Sequence, residues 1–277
     1  MIKRKAIHSS LTLVVLIIGA LIASLPLYWL IRSSLMTLGE IFIFPPLLWP
    51  EVMRWSNYLD AVTVVNFPLY FKNTMTIMIP VLFGTLLTSS MVGYGFARLR
   101  FPLKRLWFTL ILSSLMLPYA VSMLPTFLLW AQLGAINTFY PLIVPIWFGG
   151  GAFNIFLLRQ FFLTIPRELE DAAIIDGASY FQIYARIMAP LIKPALIVVG
   201  LFTFLNVWND FLNPLIYLNE EKKYTLALGL MQFQGTYSTD WNLLMAGATI
   251  VVIPPVIVFI FGQKYFIEGV TMTGLKL

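Results

Sequence analysis

The chain of 277 residues has no cysteine and one histidine, His8, and only 11% of its residues are charged. Without cysteine there is no disulfide, no thiol nucleophile and no thiolate metal site. A lone histidine beside a basic amino terminus supplies neither a metal-binding pair nor a reactive constellation, so we expect no catalytic residue and no resident metal. The charged share is less than half the roughly 25% of ordinary soluble domains, whereas hydrophobic residues reach 60% against about 45–50%. Long runs free of charge take the place of the missing polar surface. Internal repeats and low-complexity tracts are also lacking.

A hydrocarbon core about 30 Å thick takes about 20 apolar residues per helix. Six runs qualify: residues 11–31, 73–97, 106–129, 141–158, 194–217 and 243–266. The stretch between Arg105 and Arg159 carries no charge and is too long for one helix, so Gly134, Asn137 and Pro141 are read as the turn of a hairpin. The first run is too long for a signal-peptide core and lacks a small-residue cleavage site, so it is expected to remain as a helix. With the amino terminus inside, the inner segments hold 13 of the 18 basic residues, from Lys3, Arg4 and Lys5 through Arg98 and Arg159 to Lys276. This bias places both termini in the cytoplasm. The expected fold is an all-α, multi-pass membrane protein with six transmembrane helices and a cytoplasmic loop between the fourth and fifth. Its parts are 1–72 (amino terminus, first helix and extracytoplasmic connection), 73–266 (a five-helix core with loop 159–193) and 267–277 (a cytoplasmic tail). Net charge +6 reports orientation in the membrane, and no nucleic-acid partner is expected.

Within the inner loop, residues 168–179 form a charged island of helix-compatible sequence. Pro166 suits a first helical turn, and Glu168, Glu170 and Asp171 follow where the positive end of the helix dipole favours anions. Asp176-Gly177 supplies a turn, because glycine adopts positive φ at little cost. Ser179 and Gln182 have capping-box spacing for a second helix that should end near Pro190. Leu169, Ala172 and Ala173 share a face of the first helix at spacings of three and four. Helices that lie on a membrane carry Lys and Arg on the polar face. This one has more acid than base, which favours a protein partner in the water.

The island resembles the cytoplasmic coupling loop of the membrane subunits of ATP-driven (ABC) importers, with the pattern falling on Asp171, Ala172, Ala173, Gly177, Ile187 and Pro190. Asp171 replaces the usual glutamate, and Ala189 stands where a leucine commonly precedes the proline. Asn73-Thr74, the run Gly93-Tyr94-Gly95-Phe96-Ala97-Arg98, Leu117-Pro118, Trp208-Asn209-Asp210 and Glu268-Gly269 are similar, in that order, to the smaller permease subunit of maltose-type sugar importers. The resemblance implies a bacterial or archaeal cytoplasmic-membrane subunit with no chemistry of its own. It implies as partners a second homologous permease subunit, two ATPase subunits that use ATP and Mg, and an extracytoplasmic solute-binding protein. Membrane lipid surrounds it. Glu168, Asp171, Ala172, Ala173, Asp176, Gly177 and Ser179 would then be the residues that couple to the ATPase.

In the fifth run, Asn206, Asn209, Asp210 and Asn213 recur at helical spacing, and a regular helix would carry Asp210 about 24 Å beyond Pro194. Lipid cannot hydrogen-bond these groups, so the face should meet protein or water. It either lines a sugar pathway, with Trp208 offering a ring face, or bonds to a partner helix. Gly149-Gly150-Gly151 near Asn154 permits close helix approach or a local break. The absence of deep Lys or Arg favours a neutral, hydroxyl-rich cargo. Glycerol phosphate or another small polar metabolite is the runner-up, and a secondary transporter or channel would usually show more mid-membrane ionisable groups than Asp210 alone.

Overall fold

The computed structural model describes the backbone of residues 2–235 and 238–274. Side chains are described for residues 12–264 apart from Thr236 and Tyr237, so the basic amino-terminal cluster, His8, Glu268-Gly269 and Lys276 lie outside the described side chains. Among the described residues the protein is helical, with one isolated bridge between Gln234 and Thr239 and no extended strand. Four helical stretches are long and apolar enough to cross a membrane: Thr12–Ser34, Phe67–Arg98, Tyr140–Thr164 and Trp241–Lys264. Two bent helix pairs raise the number to as many as six if each pair is one span.

The chain divides into two compact units. The first comprises residues 1–67 with 230–253. Its long helix Ile2–Ser34 exposes Leu16, Leu21 and Ile22 on several sides, as expected of a helix with little apolar–polar asymmetry that meets lipid or another chain. Polar chain ends are gathered at its last turn, where Asn57 Nδ2 donates to Ser34 O and Met36 O, each at 2.9 Å. Arg32 is fully buried with its guanidinium 4.1 Å from the Trp29 ring centroid, and a cation there also complements the carboxyl end of the helix. Thr37 and Glu40 close a capping box on the short helix Leu38–Ile41.

The second unit comprises residues 68–229 with 254–277. Most of the helix Phe67–Arg98 lies in it and buries one long face, including Tyr70, Ile77, Val81, Ser89 and Tyr94. The third expected span is bent: Lys104–Ser113 continues as a 3₁₀ turn to Met116, and Tyr119–Gln132 leaves at 101°. Pro118 accounts for the break, since the residue before a proline is driven out of the helical region, and Leu117 is extended at ψ 119°. The hairpin turn falls where expected, with Gly134 at φ 65° and Asn137 at φ 61°.

The glycine run does two things at once. Gly149, Gly150 and Gly151 all have positive φ and separate the 3₁₀ segment Val144–Phe148 from the helix Ala152–Thr164. A Cβ on Gly150 would also stand 2.7 Å from Ser89 N and 2.8 Å from Thr85 O. Only a residue without a side chain allows this contact with the neighbouring helix.

The fifth span departs from the regular helix expected over 194–217. Lys193–Trp208 stops, residues 209–211 break the helix, and Leu212–Tyr217 resumes it. Ahead of it, Tyr180–Leu191 meets Lys193–Trp208 at 78°.

Candidate functional site

The loop over residues 159–193 folds largely as its punctuation predicts, save that Pro166 precedes the first helix instead of standing in its first turn. The helix Glu168–Ile175 carries Glu168, Glu170 and Asp171 in its first turn. Gly177 at φ 79° ends it, with Gly177 N donating to Ile174 O at 3.0 Å and Ala178 N to Ala173 O at 2.9 Å. Ser179 then caps Tyr180–Ile183: its N–H donates to Gln182 Oε1 at 2.8 Å, and Gln182 N donates to Ser179 Oγ at 3.3 Å. A π-helical turn, Tyr184–Met188, leads into Ala189–Leu191, one residue past the expected end at Pro190.

Two faces separate on the first loop helix. Glu168, Leu169, Asp171, Ala172, Asp176, Gly177 and Ser179 are exposed. Ala173 is not on that surface: it is buried among Tyr94, Ala97, Leu158, Phe162, Ile183 and Met188. The grouping of Ala172 with Ala173 on one free face is therefore corrected, because adjacent residues on a helix point about 100° apart and the packed side takes the second. Exposed apolar groups that the spacing did not single out are Ile175, at 84% exposure, Tyr180 and Phe181. A run of apolar residues astride a turn carries no periodicity from which their exposure could be read.

Glu170 anchors the packed side. Its carboxylate lies 3.4 Å from Arg98 Nη1 and accepts from Tyr94 OH at 3.1 Å. Arg98 also donates from Nη2 to the carbonyls of Phe162 and Ile165. The side chains of Arg98 and Glu170 are only 3% and 13% exposed. One guanidinium thus joins the end of the helix Phe67–Arg98, the end of Ala152–Thr164 and the loop helix, using the several donors of its planar fork. Nearby, Ser90 and Tyr184 hydroxyls are 2.6 Å apart, and Arg159 Nε donates to Phe96 O at 3.1 Å. Read only as topological charges, Arg98 and Arg159 conceal this role.

A second polar region lies at the break in the fifth span. Asp210 accepts from Asn213 N at 3.2 Å on Oδ1 and from Asn213 Nδ2 at 3.1 and 2.9 Å on its two oxygens, which holds the start of Leu212–Tyr217. Tyr119 OH donates to Asn213 Oδ1 at 2.5 Å. These groups, with Thr126 and Tyr217, line a cavity of about 230 Å³. On another side Asp210, Thr74 and Thr225 line a hole of about 30 Å³, room for a water. Asn206 and Asn209 are exposed but do not line the cavity, and Asn209 Nδ2 donates to Leu205 O at 3.0 Å. Trp208 is buried, its ring 5.5 Å from Phe204 and 6.3 Å from Phe71, so it presents no free ring face. The four polar residues are brought together only in part, because the helix breaks between them. Tyr119 and Thr126, from another bent pair, complete the cavity and were not legible as part of it. Among the described residues no group of His, Cys, Asp and Glu could hold a metal ion.

Residues 85–271 match the family described as binding-protein-dependent transport system inner membrane component. The chain is 37% identical over 264 residues to the arabinooligosaccharides transport system permease protein AraQ of Halalkalibacterium halodurans, covering 93% of this chain and 92% of that one. It is 33% identical to the sn-glycerol-3-phosphate transport system permease protein UgpE of Brucella suis, over 99% of both chains. Among solved structures it resembles a chain of a bacterial ABC transporter involved in the import of the acidic polysaccharide alginate, with a TM-score of 0.82, 24% identity and coverage of 94% and 97%. This likeness is one of fold.

Proposed function

The chain belongs to the family of binding-protein-dependent transport system inner membrane components, and from that premise we propose that it forms half of the translocation pathway of an ATP-driven importer for a neutral sugar or oligosaccharide. Members of this family are transport permease subunits rather than catalysts. The observation that carries the reading is the acidic helix Glu168–Ile175, exposed on one face, closed by positive-φ Gly177 and pinned from behind by Arg98.

The partners are a second, homologous permease subunit, two ATPase subunits that use ATP and Mg, and an extracytoplasmic binding protein. The ATPase seats against Glu168, Asp171, Ala172, Asp176, Gly177 and Ser179, and against the exposed Ile175 and Tyr180. Closure of the ATPase pair on ATP pushes this surface. The push reaches the helices Phe67–Arg98 and Ala152–Thr164 through Glu170, Arg98 and the packed Ala173, because a rigid body displaced at one end moves at the other. Binding energy does this work only if ATP prefers one of the two states. Six spans with both termini cytoplasmic place this loop, 159–193, on the ATPase side, with residues 73–266 as the core and 267–277 as a tail. Since the chain has no native cysteine, Asp171→Cys should be labelled by an impermeant thiol reagent in inverted vesicles and stay unlabelled in intact cells. Labelling from outside intact cells would sink the topology.

The family spans more than one cargo, and the 33% identity to the glycerol-phosphate permease keeps that substrate as the second reading. Reconstitution of the complete importer, followed by measurement of ATP hydrolysis with saccharides and with sn-glycerol 3-phosphate, separates them. Stimulation by saccharide is expected. A cargo-independent ionic current without ATP would instead favour a channel.

A further inference from the structure

We infer that the cavity lined by Tyr119, Thr126, Asp210, Asn213 and Tyr217 is a subsite on this subunit for one neutral sugar ring. The inference rests on the importer reading above and goes beyond it by assigning the charge and hydrogen-bond class of the cargo to particular atoms.

Apart from the Tyr217 hydroxyl, which remains able to donate, the polar protons of the lining are already committed. Tyr119 OH donates to Asn213, Asn213 Nδ2 donates to Asp210, and Thr126 Oγ1 donates to Ser122 O at 2.7 Å. What these groups still offer is lone pairs: those of the Tyr119 and Thr126 hydroxyl oxygens and those that Asn213 leaves free on the Asp210 carboxylate. No Lys, Arg or His lines the cavity. An acceptor-rich site with a carboxylate and no cation suits a ligand that brings many O–H donors. It disfavours a phosphate or uronate, which brings negative charge and acceptors of its own.

Size narrows the class further. A water occupies about 30 Å³ of liquid, so about 230 Å³ far exceeds a single bare ion. It lies below the roughly 300–1,000 Å³ of drug-sized pockets, which fits one ring of a saccharide rather than a chain. Tyr119 and Tyr217 add ring surface beside the polar atoms, a combination of apolar wall and a few fixed polar groups typical of small-ligand sites. The cavity is also built at the two broken helices, where non-helical backbone is tolerated in a membrane because it lines a cavity or is buried in protein.

The test uses the complete importer in proteoliposomes, with single-cysteine reporters on two apolar lining residues, Met123→Cys and Ile146→Cys, which stand on different segments. N-ethylmaleimide labelling of each is followed during ATP turnover with arabinotriose, with sn-glycerol 3-phosphate, or with neither. The expected result is slower labelling with arabinotriose alone. Asp210→Asn should raise the arabinotriose concentration needed for that protection about tenfold, the change that loss of a hydrogen bond to a charged group sustains. Unchanged labelling of both reporters while arabinotriose accumulates in the vesicles would overturn the subsite and leave the importer reading standing. Protection by sodium ions with none by arabinotriose would replace the subsite with an ion site. Accumulation of sn-glycerol 3-phosphate and not of the saccharide would remove both the subsite and the proposed cargo.

Discussion

The helix Phe67–Arg98 is tied to a loop at each end, and the two ties use opposite chemistry. At its start, neutral side chains hold the loop over residues 219–226: Asn73 Nδ2 donates to Lys222 O at 2.9 Å and Tyr224 O at 3.0 Å, and Thr74 Oγ1 accepts from Leu226 N at 2.9 Å. Tyr70 OH adds a bond of 3.1 Å to Glu221 Oε1. At its finish, one guanidinium and one carboxylate, Arg98 and Glu170, hold the other loop. Several modest bonds spread along a backbone resist the loss of any one of them. The buried pair concentrates much of the second tie, beside the Tyr94–Glu170 and Ser90–Tyr184 hydrogen bonds and the packed Ala173, so its loss should loosen the loop helix more than the loss of any one bond at the other end.

Arg98→Leu should therefore have the largest effect. Removing one member of a buried ion pair costs about 3–5 kcal/mol, because the other is left buried without its counter-charge. The purified chain should unfold at a markedly lower temperature, and Arg98→Leu with Glu170→Leu should recover part of the loss. A single variant as stable as the parent would erase the contrast between the two ends.

Gly177→Val ranks next. Nothing lies within 4 Å of a Cβ placed there, so the penalty comes from φ 79° alone. A left-handed conformation costs an L-residue about 1–2 kcal/mol, and a β-branched one resists it further. Membrane insertion should be retained while ATPase co-purification, or cargo moved per ATP, falls. Normal values of both would show that the turn does not aim the loop.

For the distributed tie, Asn73→Ala removes two hydrogen bonds whose net worth is about 0.5–1.5 kcal/mol each. Hydrogen exchange should quicken in residues 219–226 with little change in the unfolding temperature of the whole chain. A global loss as large as that of Arg98→Leu would show that the tie at residues 219–226 is as concentrated as the one at Glu170.

The smallest effect concerns acid. Asn137 Nδ2 donates to Glu220 at 2.6 Å, and this bond, with Lys223, holds the Glu220 carboxyl below its ordinary value of 4.5. A carboxyl depressed in the folded state stabilises fully above its unfolded pKa, and the contribution is lost as pH falls through the folded value. Amide protection factors in residues 219–224, which discount the intrinsic slowing of exchange in acid, should thus fall slightly on acidification from pH 4.5 downward. Asn137→Ala should flatten that dependence, and an unaltered profile would place the acid response elsewhere.

Much of the loop over residues 159–193 was legible because its determinants are local. The acids of the first turn, Asp176-Gly177 and the Ser179–Gln182 box each act within four residues and appear as read, whereas Pro166 precedes the helix, which begins at Glu168 after the N-cap Arg167. The partner of Glu170 was not legible, since Arg98 is 72 positions away and looks like one more basic residue at the end of a span. In the fifth span, periodicity assumed an unbroken helix. Asn206 lies before the break over residues 209–211, Asn209 and Asp210 lie within it and Asn213 after it, and no proline within the break announces the interruption.

Composition alone determined that the chain is a helical membrane protein, because only a bilayer makes a 60% hydrophobic sequence with runs of about 20 residues stable. Local pattern determined the helix–turn–helix of the loop, because caps and positive φ are short-range requirements. Tertiary structure decided which alanine is free, which arginine is an anchor and which polar residues share a cavity. Those depend on what packs against a residue from a distant segment, and pairing between distant segments is not written in the spacing of either one.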